Sequence, residues 1–122
     1  MDISLDFASP LKEGMVKKFV EELGLTTESP LECFGGQIFS SPGTGGRIRV
    51  AVTKNRNRIV ISTSYLNAHM RSYQLLHIAK AAVPLGDCPV MEFSQEFAHM
   101  TLEGWFPKGL RIQNQIRFPG GN

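Results

Sequence analysis

Three histidines, two cysteines and eleven acids give this 122-residue chain its best chance of doing chemistry, and their spacing decides what they can do. A metal centre needs several His, Cys, Asp or Glu side chains converging on one ion. His69 and His77 stand eight positions apart in a helical stretch, about two turns, too far to share an ion, and His99 lies in a separate segment. There is no HExxH and no Cys-His cluster. Nucleophilic catalysis needs a Ser or Cys with a base in reach. The sequence has no GxSxG elbow, and Cys88 with His77 is only a pair of residue types. Glu92, Glu96 and Glu103 suit wet positions as well as they suit acid–base work. The run Ser41-Pro42-Gly43-Thr44-Gly45-Gly46 is glycine-rich, as phosphate loops are, but it lacks GxxxxGK[ST], and a strand pattern follows it. The expectation is a non-enzyme with no cofactor and no metal.

Cys33 and Cys88 are 55 positions apart with no CxxC, which reads as two buried, reduced thiols. The first residues, Met1-Asp2-Ile3-Ser4-Leu5-Asp6, carry two acids and no base, unlike a signal or transit peptide. No window approaches the ~20 apolar residues of a membrane span. A cytoplasmic protein with no membrane partner is expected.

Charge is where the sequence is uneven. Residues 1–46 hold seven acids against three bases, and residues 81–122 hold four acids against three bases. Between them, residues 47–80 hold Arg47, Arg49, Lys54, Arg56, Arg58, Arg71 and Lys80 and no acid. Clustered charge of one sign attracts anionic partners.

The elements that must position these residues follow from periodicity. Ile3, Leu5 and Phe7 alternate with Asp2, Ser4 and Asp6, as in a strand with one wet face. Ser9-Pro10 reads as a helix start, and Leu11, Met15, Phe19 and Leu23 recur every four residues until Gly24. A loop is expected from Thr26 to Pro30. Leu31 to Ser40 reads as a strand interrupted at Gly35-Gly36.

Arg47–Lys54 and Arg58–Tyr65 form a hairpin turning on Asn55-Arg56. Its register sets Val52 opposite Ile59, Val50 opposite Ile61 and Ile48 opposite Thr63, with Arg47, Arg49 and Arg58 on the other face. Asn67 caps a helix from about Ala68 to Val83 that is stopped by Pro84 and Gly86. Leu75, Leu76, Ala79, Ala82 and Val83 share its apolar side, and Met70, Tyr73, His77 and Lys80 share the opposite one. Pro89–Phe93 is a weak strand. His99–Phe106 and Leu110–Phe118 read as a second hairpin, with Gly109 left-handed and Trp105 opposite Arg111.

The expected fold is therefore α+β: a single domain over residues 1–118, with a frayed tail at 119–122. Two helices cover one face of a mostly antiparallel sheet of five to six strands. From about Leu11 to Phe106 the order helix, three strands, helix, two strands is similar to that of small bacterial secretion chaperones of the type III class. Those chaperones are usually acidic, and the basic middle of this chain departs from that pattern.

With both hairpins in one sheet, Arg47, Arg49, Arg58, Trp105, Arg111 and Arg117 would share a wet, basic face. Such a face suits a non-enzymatic protein-binding module of adaptor, chaperone-like or inhibitor type with an acidic protein partner. The alternative is single-stranded nucleic acid on the same Arg/Trp face, with Trp105 as a stacking platform. Met70, Tyr73, His77 and Lys80 form the second candidate surface, and a homodimer stays open.

Overall fold

The alternation of Val50 and Val52 with Arg49 and Ala51, and of Ile59 and Ile61 with Val60 and Ser62, sets the centre of the sheet. A computed structural model describes residues 2–27, 37–40, 48–64, 68–86 and 88–113. In chain order its elements are β1 (Asp2–Asp6), α1 (Glu13–Glu22), β2 (Thr26–Thr27), β3 (Gln37–Ser40), β4 (Ile48–Val52) and β5 (Arg58–Thr63). They continue with α2 (Ala68–Ala82), β6 (Val90–Glu92), α3 (Ala98–Leu102) and β7 (Arg111–Gln113). The strands form one sheet in the order β2-β3-β4-β5-β1-β6-β7, antiparallel except for the parallel pair β6–β7. Short β2, where a loop is expected, brings the described sheet to seven strands.

The β4–β5 register is the expected one, with Val52 opposite Ile59, Val50 opposite Ile61 and Ile48 opposite Thr63. β1 docks on the far side of β5, Ile3 against Ile61 and Leu5 against Ile59, and Leu5 also meets Met91 of β6. Apolar rows thus run across neighbouring strands, and every one of these residues is buried. Val16, Phe19 and Val20 of α1 and Leu75, Ile78, Ala79 and Ala82 of α2 close the same core from one side of the sheet. Burying each large side chain contributes about 1.5–3 kcal/mol before entropy is subtracted. Leu76 is only half-buried, and Ile78 takes the central place beside Leu75.

α1 ends as its glycine requires. Gly24 has φ 69°, its N–H donates to the Glu21 carbonyl, and the Leu25 N–H donates to the Val20 carbonyl. This double bond pattern closes a helix on a left-handed residue, which glycine reaches without a Cβ clash. The start differs from expectation. Ser9 and Pro10 are exposed and outside the helix, and the N-cap is Lys12, whose side chain makes no capping bond. The cause is the hairpin tip: the Leu11 N–H donates to the Arg56 carbonyl at 2.7 Å, and Arg56 Nε donates to the Leu11 carbonyl at 2.8 Å. With both backbone groups of Leu11 engaged there, the helix begins only at Glu13.

The second hairpin is corrected. Ser94 caps a 3-10 turn, Gln95–Phe97, which runs into α3, so residues 98–102 are helical and not a strand. Gly104, at φ 72°, donates to the Thr101 carbonyl, and the Trp105 N–H donates to the Met100 carbonyl, repeating the bond pattern that ends α1. Gly109 is left-handed as expected, at φ 100°, but the chain then enters β7 parallel to β6. The secretion-chaperone order is corrected with it, since four strands lie between α1 and α2 and a helix occupies 98–102. Cys88 is free and exposed, not buried, because it sits in the turn before Pro89 and β6. Cys33, the Gly35-Gly36 interruption, the Asn67 cap and the tail 119–122 lie outside the described residues. Among those described, no helix is long and apolar enough to cross a membrane.

Candidate functional site

The outer sheet face is built by the alternation that fills the core. Arg49 and Arg58 reach it from β4 and β5, and Arg111 reaches it from β7. β1 and β6 bring acids to the same face: Asp6 lies opposite Arg58, Asp2 opposite Ser62, and Glu92 opposite Ser4. Arg58 Nε donates to the Asp6 carboxylate at 2.6 Å, and Ser62 Oγ donates to Asp2 at 3.0 Å. The hydrogen bond to Asp6, and then the charge of Asp6, raise the Arg58 guanidinium above its ordinary pKa. The described part of this face carries three arginines and three carboxylates, so it is charge-balanced and not basic. Counting the central segment alone missed this, because the acids come from strands distant in sequence. Arg47 and Arg117 lie outside the described residues.

Trp105 is not on the sheet. It follows α3, is 52% exposed, and donates from Nε1 to the Glu103 carboxylate at 2.7 Å. The expected Trp105–Arg111 pair depended on an antiparallel hairpin, and the helical turn before Gly104 removes it. The structure therefore brings Arg49, Arg58 and Arg111 to one face and leaves Trp105 with the helical elements.

The second candidate surface stands where helical spacing puts it. Met70, Tyr73, His77 and Lys80 are all exposed along α2, Met70 at 45% and Tyr73 at 63%. The His69 ring meets the Tyr73 ring edge-on, with centroids 4.9 Å apart, which limits the freedom of the tyrosine. Arg71 pairs with Glu96 at 2.7 Å and so ties α2 to the turn before α3. Leu102 of α3 is 88% exposed.

Lys80, at the end of the stripe, also lines a cleft of about 600 Å³ between α1 and the C-terminal end of α2. Met15, Phe19, Ala81, Pro84 and Leu85 supply its apolar wall, and Lys18, Glu21 and Glu22 supply the rest of its polar rim. The volume is in the range of small-molecule and side-chain pockets. The cleft escaped sequence reading, although Met15, Phe19 and Glu22 share one helical side and Pro84 ends the facing helix. Among the described residues no three His, Cys, Asp or Glu side chains are grouped to hold a metal.

No protein-family model, curated protein or solved structure matches the chain.

Proposed function

We propose that the chain is a non-enzymatic protein-binding module, of adaptor, chaperone-like or inhibitor type, that engages its partner through the helical layer. The observation that carries this reading is the distribution of exposed large apolar side chains. Among the described residues, Met70, Tyr73, Leu102 and Trp105 are such residues on or just after α2 and α3, whereas on the outer sheet face Val60 is the one described example. Exposed apolar groups set among polar ones mark interaction sites, and Tyr, Trp and Met are enriched at interface centres. The outer sheet face is a poorer candidate, since its described arginines share it with as many carboxylates and Arg58 is already paired with Asp6. That balance also counts against nucleic acid on the sheet, because phosphates would meet Asp2, Asp6 and Glu92.

A photo-crosslinking amino acid placed at Tyr73 or at Val60, in cells that express the chain, tests the reading. A discrete protein adduct from position 73 and none from position 60 is the expected result. Adducts from position 60 alone would return the site to the sheet. Once the partner is in hand, Tyr73→Ala should weaken binding by about 2 kcal/mol, as removal of a central tyrosine does.

A further inference from the structure

We infer that the cleft between α1 and α2 seats a peptide segment of a partner protein that carries one bulky apolar side chain and, on one flank, a carboxylate. The inference rests on the protein-binding reading above and assigns it a partner chemistry. The apolar wall is fixed before binding, because Phe19, Ala81 and Leu85 are buried in the core and Met15 is packed against it. An inserted side chain therefore gains buried area without first having to order its site.

Charge specifies the rest. Each wall contributes one ammonium to the rim, Lys18 from α1 and Lys80 from α2, and neither makes an ion pair with a carboxylate among the described residues. Two like charges on the two walls of one cleft favour an anion there over a cation. α2 itself carries no acid from Ala68 to Ala82, so nothing on that wall competes for the role. One turn further along α1, Glu21 and Glu22 occupy the remaining rim. A second acid on the segment's other flank would meet them and be repelled, which gives the segment a direction. Exposed ion pairs of this kind contribute little affinity each, so the apolar side chain carries the strength and the charges carry orientation and salt dependence.

The test is selection from a library of short random peptides on the immobilised full chain, followed by fluorescence anisotropy of an enriched peptide. The expected consensus pairs an aromatic or large aliphatic residue with Asp or Glu on one side. Lys18→Glu with Lys80→Glu should weaken the peptide by about tenfold or more, roughly 1.4 kcal/mol. Replacing the peptide's acid by Lys should restore binding to that variant. Circular dichroism checks that the exposed substitutions leave the fold intact. No enrichment, an enriched consensus without acids, or unchanged affinity in the double variant overturns the inference. If Tyr73→Ala abolishes binding while the double variant does not, the helical layer remains the interface and only the cleft assignment falls. If the crosslink at position 73 also fails, the protein-binding reading falls with it.

Discussion

The β4–β5 hairpin and the segment from Ser94 to Gln113 both bury apolar residues beneath the same sheet, and they do so with different periods. In the hairpin, Val50, Val52, Ile59 and Ile61 repeat every second residue, and each strand independently demands the same register. In the later segment, Phe97 and Met100 are three apart and buried, Leu102 is exposed, and Phe106 packs on Phe93 with ring centroids 5.2 Å apart. A residue of the hairpin is constrained by two neighbouring strands on the same face. A residue of the later segment is constrained by a short helical turn, a left-handed glycine and a parallel strand, none of which repeats. Local pattern fixes structure where the pattern is long enough to check itself.

The sharpest way to break that contrast is at the hairpin. Val50 is fully buried, paired with Ile61 on one side and Phe39 of β3 on the other. Val50→Asp leaves an unpaired charge in the core and should cost about 4 kcal/mol or more, enough to abolish a cooperative urea transition. Arg49→Glu, one residue away on the wet face, should still unfold cooperatively. Equal effects of the two would remove the assigned face.

Met100→Ala probes the buried point of the later segment. Its side chain is fully buried, so the loss should be about 3 kcal/mol, read as a lower urea midpoint with an unchanged slope. Much of the fold was legible from the sequence for physical reasons these two sites illustrate. Val50 sits in an alternation, and the two helices show one apolar stripe each, so the α+β class, the hairpin register and the α2 stripe followed. Met100 sits at a place where alternation and helical spacing both predict burial, so it could not separate strand from helix. Ser94 as a cap and Gly104 as a stop were the separating signals, the same punctuation that marks the end of α1 at Gly24. The sheet order was not legible, because nothing in Asp2–Asp6 says that this strand inserts between β5 and β6. The charge balance of the outer face was hidden with it.

Gly104→Ala tests the punctuation itself. Open space surrounds the position, so no side-chain clash contributes, and the cost is that of holding an alanine at φ 72°. That cost should be about 1 kcal/mol, a drop of roughly 4 °C in Tm for a domain of this size. Gly14→Ala, inside α1 and also in open space, should move the other way by about 0.5–1 kcal/mol, because there the added methyl favours the helical state. Opposite signs from two glycines in equally open surroundings would isolate backbone conformation as the cause.

The smallest expected effect discriminates most cleanly between the two periods. In an antiparallel strand from His99 to Phe106, Leu102 would share its face with Met100 and point into the core, and Leu102→Asp would then cost several kcal/mol. In α3, Met100 and Leu102 are two residues and therefore about 200° apart around the axis. One is buried and the other is 88% exposed, so the substitution should move stability by about 0.5 kcal/mol or less. The reason is that the aspartate's charge stays in water and no packed neighbour is lost. A near-wild-type urea midpoint for Leu102→Asp, beside a large loss for Met100→Ala, is a result a strand cannot produce. A large loss at both would restore the alternating pattern to this segment and return Trp105 to a place beside the sheet. Because Leu102 is also one of the exposed apolar residues assigned to the partner-facing layer, the same variant should weaken partner binding while leaving the fold intact, so stability and binding separate at one position.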